Sequence, residues 1–269
     1  NQESLHTFNN YFHYYKALQP VSRLKKKPKK ITILWDASYS MRYKDFEKEY
    51  KVLESYLNYL QDVKVNLITF NSTIQSEKKF RIKDGNASEL YTVLKNVQYD
   101  GGTKLNLFQN VRINTNEILL FSDGLANLGD FATKQKVPVY TINSLVSANH
   151  QQLETIATQS GASYLNVLRL EHTKATQLLK RETYQFLGIS DDENIREVYP
   201  QQRTNVYQDF SVSGQFTEDT TVKLLFGYGG KISERIPVKV TKTEGTKEVR
   251  RLWAKQKLKY LSLSLIHIS

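Results

Sequence analysis

Short apolar segments that alternate with amphipathic ones are the feature that most restricts how this chain can fold. Four short, mostly apolar segments predict β-strands, and the first of them is a continuous run rich in β-branched residues: residues 31–35, 63–70, 117–122 and 137–142. Apolar side chains recur at helical spacing in four others: residues 43–62, 88–97, 150–160 and 172–180. This alternation predicts an α/β fold with a doubly wound, mostly parallel sheet.

The pattern changes after about residue 181, where apolar and polar residues alternate one by one. Residues 209–214, 220–227 and 232–240 follow this pattern between glycine-containing turns, which predicts antiparallel strands in a second, smaller domain. Residues 11–18 predict another strand, and we expect it to pair with strands from 209–240 because the parallel sheet offers it no partner. The predicted division has three parts: an N-terminal strand and basic linker that belong to the flanking domain (1–30), the α/β domain (31–181), and a β-rich domain that ends in a basic amphipathic helix over 246–261 (182–269).

Composition excludes several kinds of site. The 269 residues include no cysteine, which excludes disulfides, zinc fingers, iron–sulfur clusters and thiol nucleophiles. The five histidines are scattered, with no pair at the spacing of metal ligands and no Ser-His-Asp set. The longest apolar runs are too short to cross a bilayer, so the sequence predicts no transmembrane segment.

The charge is strongly positive, with 38 lysines and arginines against 27 aspartates and glutamates, a formal net charge of +11. Such an excess favours acidic partners in general, whether nucleic acid, anionic lipid or carboxylate-bearing proteins and glycans. Much of the excess lies in residues 25–30 and 247–259. We interpret the first as a solvated linker and the second as a helix whose Leu252 and Trp253 pack onto a neighbouring domain, so no specific nucleic-acid partner is expected.

Oxygen-bearing side chains follow the predicted strands at one edge of the sheet. Asp36, Ser38 and Ser40 come directly after the first buried strand, at a spacing that places all three on one face of extended chain. Thr103 lies in a Gly-Gly-Thr loop, and Asp123 follows the third buried strand. These five residues form a candidate site of three hydroxyls and two carboxylates. Hard oxygen donors predict Mg²⁺, Mn²⁺ or Ca²⁺, and an ion held mainly by neutral hydroxyls retains affinity for an incoming Asp or Glu.

The segments WDASYSM, GGTKLN and LFSDG together resemble the von Willebrand factor type A (VWA) domain with its metal-ion-dependent adhesion site. The resemblance implies that Ser38, Ser40 and Thr103 coordinate Mg²⁺ and that Asp36 and Asp123 act directly or through water. The family usually has glycine where this sequence has a tyrosine between the two serines, which is expected to crowd or gate the ligand face.

The flanking segments YFHYY and RLWAKQKL resemble those around the VWA domain in inter-α-trypsin inhibitor heavy chains and their bacterial relatives. In those proteins a VIT domain precedes the VWA domain, and a β-sandwich and a helix follow it. The resemblance implies a bacterial protein with a VIT domain upstream of Asn1, and an extracytoplasmic or membrane-associated location.

Three functions fit the motif residues to different degrees. The VWA resemblance implies a non-enzymatic, metal-dependent binding of a protein or matrix ligand through an acidic side chain. A second reading is an adaptor or scaffold subunit in a multiprotein complex, including complexes linked to ATPases. A third, a phosphatase of the haloacid dehalogenase type, also places an aspartate after the first strand. It needs a second acid two residues later, where this sequence has Ser38, so no enzymatic activity is expected.

Overall fold

The computed structural model describes residues 2–19, 22–125, 131, 133 and 136–265, with the side chains of the last helix described as far as residue 261. Residues 1, 20, 21 and 266–269, which the sequence assigns to the flanking domain, lie outside the described residues. The chain forms two compact units. We call Arg23–Glu182 the α/β unit, and Asn1–Ser22 together with Thr183–Ser269 the β-rich unit.

The strands and helices follow one another in this order: β1 (Glu3–Phe8), β2 (Tyr11–Ala17), β3 (Arg23–Leu24), β4 (Lys30–Asp36), α1 (Phe46–Leu60), β5 (Val63–Phe70), β6 (Ile74–Ile82), α2 (Ser88–Lys95), β7 (Glu117–Phe121), β8 (Val139–Asn143), α3 (His150–Ser160), β9 (Tyr164–Asn166), α4 (His172–Lys180), β10 (Arg181–Glu182), β11 (Tyr184–Ile189), β12 (Ile195–Tyr199), β13 (Thr204–Asn205), β14 (Asp209–Phe216), β15 (Thr220–Tyr228), β16 (Lys231–Val240) and α5 (Glu248–Leu265). Two short 3-10 helices lie in loops of the α/β unit, at Tyr39–Tyr43 and Leu105–Gln109.

The α/β unit is built on a six-stranded sheet of order β6-β5-β4-β7-β8-β9. Its neighbouring strands are parallel except for the edge pair β5 and β6. This sheet confirms the predicted doubly wound, mostly parallel α/β fold, and further β-sheets accompany it. Because β4 and β7 are parallel neighbours, the residues that follow them meet at one edge of the sheet.

Both faces of this sheet are covered, which explains why its central strands read as continuous apolar runs. Side chains at alternate positions of β4 enter two different apolar clusters: Ile33 and Trp35 join the cluster that includes α1, and Leu34 joins the other. All five residues of β7 are buried. Because both faces are buried, β4 and β7 cannot slip in register, and their carboxyl ends, which carry the candidate site, stay side by side.

The first helix begins later than the sequence predicts, and the difference lies next to the candidate site. The predicted helix over 43–62 starts at Phe46, because the Asp45 side chain caps it by accepting a hydrogen bond from the Lys48 amide at 3.1 Å. The preceding 3-10 helix, Tyr39–Tyr43, has a shorter repeat that apolar spacing does not distinguish from an α-helix.

The β-rich unit joins both ends of the chain. Strand β2 pairs antiparallel with β14, so that Tyr11–Ala17 face Asp209–Gln215, which is the pairing that the sequence predicts for the N-terminal strand. The unit has two four-stranded sheets, β1-β2-β14-β12 and β13-β11-β15-β16. Sequence reasoning missed β1, β11 and β12. Their apolar and polar residues do not alternate clearly, and each is recognised as a strand by its pairing with a neighbour.

Helix α5 packs on strands of its own unit, whereas the sequence predicts packing on a neighbouring domain, and Leu252 does not join the packed face. Val249 and Trp253 are buried, and the Trp253 ring lies 5.1 Å from that of Tyr11. Leu252 is 38% exposed, because one residue is a rotation of about 100° around a helix and places it off the packed face. Among the described residues, no helix is both long enough and apolar enough to cross a lipid bilayer.

The basic segment 25–30 also differs from its prediction as a solvated linker. The Lys25 side chain is only 9% exposed, forms an ion pair with Glu117 and lies 4.1 Å from the centroid of the Tyr140 ring. Burial lowers the pKa of Lys25, and the nearby Glu117 carboxylate opposes that shift. A lysine in a basic run therefore neutralises a carboxylate at the buried start of β7, a partner 92 positions away in the sequence.

The pairing of β2 with β14 leads to a first prediction, on the substitution Phe12→Leu. Phe12 is fully buried in the core of the β-rich unit, 6.4 Å from the Phe216 ring. We expect the smaller side chain to lower the stability of this unit by about 1.5 kcal/mol and the amide protection of β14 by roughly tenfold. Hydrogen exchange measures both units at once, with Leu5→Ser on β1 as the exposed control. Equal loss of protection in β4 and β7 would contradict the prediction.

Candidate functional site

Two buried carboxylates lie at the carboxyl ends of the central strands. Asp36 ends β4, and Asp123 lies two residues beyond the end of β7, whose Phe121 is paired with Trp35 of β4. Both aspartates are 0% exposed. Open α/β sheets form their sites at this edge, so the position agrees with the one that the sequence predicts.

Asp36 is the centre of a hydrogen-bond network. Its Oδ1 accepts from the Ser38 amide at 2.9 Å, and its Oδ2 accepts from the Ser122 hydroxyl at 2.7 Å and the Thr103 hydroxyl at 3.4 Å. The Ser38 and Ser40 hydroxyl oxygens are 3.3 Å apart. Four of the five predicted site residues are therefore linked by hydrogen bonds, two of them through the side chain of Asp36 itself.

The loops that carry the hydroxyls are tied together by their backbones. The Tyr39 amide donates to the Gly101 carbonyl at 2.9 Å, and the Asp100 amide donates to the Ala37 carbonyl at 2.9 Å. These bonds hold the loop with Thr103 against the segment that follows β4. The close approach of Thr103 to Asp36 is thus built from backbone contacts around both residues.

Asp123 is held at the same edge of the sheet by hydrogen bonds of its own loop. Its Oδ1 accepts from the Leu125 amide at 2.9 Å, and its backbone carbonyl accepts from the Asn149 amide at 2.8 Å at the start of α3. Gly124 makes this turn possible, because it has φ +68° and a Cβ there would lie 2.9 Å from Leu153. Among the described residues, Asp123 Oδ2 is buried without a hydrogen-bond partner, a costly state for a carboxylate oxygen.

The electrostatics of this edge favour an added cation. Burial raises the pKa of Asp36, and the negative charge of Asp123 raises it further, while hydrogen bonds from Ser122 and Ser38 oppose the shift. Two carboxylates that repel each other in a buried place are stabilised by a positive ion between or beside them. The donor set, three hydroxyls and two carboxylates, consists of the hard oxygens that Mg²⁺ prefers.

These residues fit a divalent ion of the magnesium type. The buried, unpartnered Asp123 Oδ2 is the decisive observation, because a cation would satisfy the oxygen that the protein leaves without a donor. The described part of the chain contains no group of three or more His, Cys, Asp or Glu side chains suited to a metal. The candidate site has only two carboxylates, and hydroxyls supply the other three of its five donors.

Ser122 is a site residue that sequence reasoning missed. Its hydroxyl donates to Asp36 Oδ2 and accepts from the Gly124 amide at 3.1 Å, so it connects the ends of β4 and β7. A signal was present, because Ser122 stands in the LFSDG segment between the buried strand and Asp123. A buried hydroxyl directly after a buried strand has to find a hydrogen-bond partner inside the protein.

A buried ion pair lies in the chain just beyond the 3-10 helix. Lys44 Nζ is 3.0 Å from Glu49 Oε2, both side chains are 0% exposed, and Nζ lies 3.4 Å from the centroid of the Trp35 ring. Ser144 donates to Glu49 Oε1 at 2.8 Å. Burial lowers the pKa of Lys44 and raises that of Glu49, and the charge of each opposes the shift of the other. The sequence offers no signal for this pair, since Glu49 reads as an ordinary first-turn helix residue.

The residue that replaces the usual glycine is exposed beside the site. Tyr39 is 48% exposed and Tyr43 66% exposed, and the guanidinium of Arg42 lies over both rings. Arg42 also donates a hydrogen bond to the Tyr43 hydroxyl, which lowers the pKa of Tyr43. Tyr39 therefore forms part of the surface around the site.

The family model of the von Willebrand factor type A domain matches residues 30–181, more than half of the 269 residues. The chain belongs to this family. VWA domains are typically non-enzymatic modules for protein interaction and scaffolding, and they often bind a divalent metal at a metal-ion-dependent adhesion site. No curated protein matches the chain.

Three solved structures illustrate how far the structural likeness extends. The ArnB paralog VWA2 from Sulfolobus acidocaldarius is 14% identical with a TM-score of 0.49, over 96% of this chain and 82% of that one. The pilus adhesin SpaC from Lactobacillus rhamnosus GG is 12% identical with a TM-score of 0.37, over 88% of this chain and 47% of the adhesin. An aerotolerance-related membrane protein from Bacteroides fragilis NCTC 9343 is 13% identical with a TM-score of 0.40, over 55% of this chain and 94% of that one. We take no ligand or partner from these proteins.

Proposed function

We propose that this VWA domain is a non-enzymatic binding module with a metal-ion-dependent adhesion site. Five residues would hold the ion, Mg²⁺ or its substitutes Mn²⁺ and Ca²⁺: Asp36, Ser38, Ser40, Thr103 and Asp123. The partner is a protein or matrix ligand that contributes an acidic side chain. The observation that supports this best is the buried, unpartnered Oδ2 of Asp123 beside the hydroxyl network of Asp36.

The chemistry of the donor set explains why the ligand is acidic. A divalent ion held directly by the three hydroxyls, with the two aspartates acting through water, would have only neutral ligands in contact with it and would keep a strong attraction for an anionic oxygen. Asp36 holds Thr103 and Ser122 in position through hydrogen bonds, and the backbone contacts of the surrounding loops keep the hydroxyls together. The remaining attraction is available to an anionic oxygen of a ligand.

The non-enzymatic assignment rests on the residues themselves. Ser38 occupies the position where phosphatases of the haloacid dehalogenase type need a second acid, and the chain has no cysteine nucleophile. The described hydroxyls of the site donate to or contact oxygen atoms, and none of these contacts is to a histidine. We therefore propose binding, with no covalent step at this site.

We also propose how the whole protein is divided into domains and where it is located. We propose the division into residues 1–30 and 182–269 as a flanking domain and residues 31–181 as the VWA domain. The flanking segments resemble those of inter-α-trypsin inhibitor heavy chains. On that basis we also propose a bacterial protein that has a VIT domain and an extracytoplasmic or membrane-associated location.

Selection from a phage-displayed library of random dodecapeptides tests the proposed function. We expect peptides that are held by the full chain in Mg²⁺ and released by EDTA to be enriched in Asp and Glu, and Asp123→Ala to capture none of them. Asp62→Ala is the matched control, because this exposed aspartate precedes β5 at the opposite edge of the sheet. Peptides without acidic residues, or capture that persists in EDTA, would contradict the proposal and favour a metal-independent adaptor.

A further inference from the structure

Three exposed side chains form a cluster next to the candidate metal centre, which we call the Tyr-Arg cluster: Tyr39, Arg42 and Tyr43. The Arg42 guanidinium carbon lies 3.5 Å from the centroid of the Tyr39 ring and 4.5 Å from that of Tyr43. The two rings are nearly perpendicular, with centroids 6.4 Å apart. The guanidinium is thus held by one ring below it and one beside it, and it also donates a hydrogen bond to the Tyr43 hydroxyl.

The backbone fixes this cluster relative to the site. Tyr39 stands between Ser38 and Ser40 in the sequence, and its amide donates to the Gly101 carbonyl in the loop that carries Thr103. Met41, in the middle of the same 3-10 helix, is 0% exposed and anchors the helix in the protein. A 3-10 helix rises roughly 2 Å per residue, so Arg42 begins about 4 Å beyond Ser40. The backbone that carries the cluster is therefore continuous with the backbone that carries Ser38 and Ser40.

Arg42 has binding capacity that the chain does not use. Among the described residues, no carboxylate lies within ion-pair distance of its guanidinium. A guanidinium has five N–H donors in a planar fork that matches a carboxylate, so donors remain after the bond to the Tyr43 hydroxyl. Its two aromatic neighbours restrict its rotamers before any ligand arrives, which reduces the entropy that binding would cost.

The exposed residue types agree with a recognition surface. Tyrosine and arginine are over-represented among residues that dominate binding energy at protein interfaces. In this chain Tyr39 stands where glycine is commonest in the family motif, and Arg42 and Tyr43 follow in the same 3-10 helix as Tyr39 and Ser40. The surface beside the candidate metal centre is therefore aromatic and positively charged.

We propose that Arg42, positioned by Tyr39 and Tyr43, binds a second acidic group of the ligand, so that the preferred partner is a peptide segment with two acidic residues. This inference rests on the proposed function, because the first acidic group belongs to the metal centre. An extended peptide advances about 3.3 Å per residue, so the two acids are expected to be separated by roughly one to three positions. Arg42 determines specificity and plays no part in holding the metal.

Repeating the library selection with Arg42→Gln tests this inference. We expect EDTA-released peptides of the unaltered protein to share two acidic positions at a fixed spacing, and those of Arg42→Gln to keep one and lose the other. Arg81→Gln, an exposed arginine on β6, is the matched control and should retain both positions. Selection at 150 mM NaCl, about physiological ionic strength, suppresses attraction by net charge alone.

A selected peptide then gives a quantitative answer. Arg42→Gln should weaken binding of this peptide about tenfold and leave the Mn²⁺ affinity of the protein unchanged. Replacing the second acidic residue of the peptide by its amide should weaken peptide binding to the unaltered protein. The same replacement should have no further effect on peptide binding to Arg42→Gln. A single acidic position in the unaltered protein's peptides, or two positions in those of Arg42→Gln, overturns this inference and leaves the proposed function standing. Absence of EDTA-released acidic peptides from the unaltered protein overturns both.

Discussion

Asp36→Ala is expected to weaken Mn²⁺ binding at least about a hundredfold, as measured by calorimetry on the full chain. The substitution removes one of two carboxylates and also the oxygen atoms that hold Ser38, Thr103 and Ser122 in place. Loss of an outer hydrogen-bond partner typically lowers metal affinity 10- to 100-fold, and Asp36 combines such a role with its charge. The largest single effect on metal binding is therefore expected at this residue.

Two further variants make the result specific. Ser122→Ala removes only the 2.7 Å hydrogen bond to Asp36, so about a tenfold loss of affinity is expected. Asp62→Ala removes an exposed carboxylate at the opposite edge of the sheet and should leave affinity unchanged. Equal Mn²⁺ binding by Asp36→Ala and the unaltered protein would refute the assignment of this residue to the site.

A neutral side chain of the same shape at position 36 should not unfold the protein. Burial raises the pKa of Asp36, which means that its ionised form is less favourable in the folded protein than in water. Removing that charge in the presence of EDTA also removes its repulsion with Asp123. We therefore expect Asp36→Asn, which keeps the shape of the side chain, to melt at no lower temperature than the unaltered protein in EDTA.

Lys44→Met should destabilise the α/β unit by about 3–5 kcal/mol. In the unaltered protein Lys44 Nζ lies 3.0 Å from Glu49 Oε2. The substitution leaves the Glu49 carboxylate fully buried without its counter-ion. It also removes the ammonium group from the face of Trp35. The double substitution Lys44→Met with Glu49→Leu should recover most of the loss, because two apolar side chains need no compensation in this place.

Urea unfolding monitored by Trp35 fluorescence measures this effect in the α/β unit. The chain has two tryptophans, so the measurement is made with Trp253→Phe in every variant. Lys48→Met is the matched control, since Lys48 pairs with Asp45 at 3.3 Å on the exposed side of α1 and should change stability by less than about 1 kcal/mol. If Lys44→Met cost no more than this control, Glu49 would not depend on Lys44 as its counter-ion, and the prediction would be wrong.

The candidate site could be predicted because its residues are local to strands that are themselves predictable. β4 and β7 contain the apolar runs Ile33–Trp35 and Ile118–Phe121, since both faces of a parallel sheet are covered. Because the carboxyl ends of parallel strands meet at one edge of a sheet, recognising these two strands is enough to place Asp36 and Asp123 at that edge. Thr103 was placed by its motif, and its 3.4 Å contact with Asp36 depends on backbone hydrogen bonds between loops that no spacing reveals.

The prediction failed where a charged or polar residue takes its role from a distant partner. Lys25 reads as part of a solvated basic run, and its burial follows only from Glu117 and the aromatic rings around it. The Lys44–Glu49 pair is close in sequence, but its burial comes from Trp35 and Ser144. Strand β1 has too little apolar alternation to be recognised without β2.

The sequence by itself determined the α/β class, four parallel strands and four helices of the α/β unit, and the residues that follow the central strands. These depend on periodic burial and on turn residues, which act over a few positions of the chain. Tertiary structure alone decided which carboxylate oxygen stays without a donor, which lysines are buried, and how Tyr39, Arg42 and Tyr43 lie beside the site hydroxyls. Those properties depend on contacts between residues far apart in the sequence, and the desolvation of a charge is set by the whole surrounding fold.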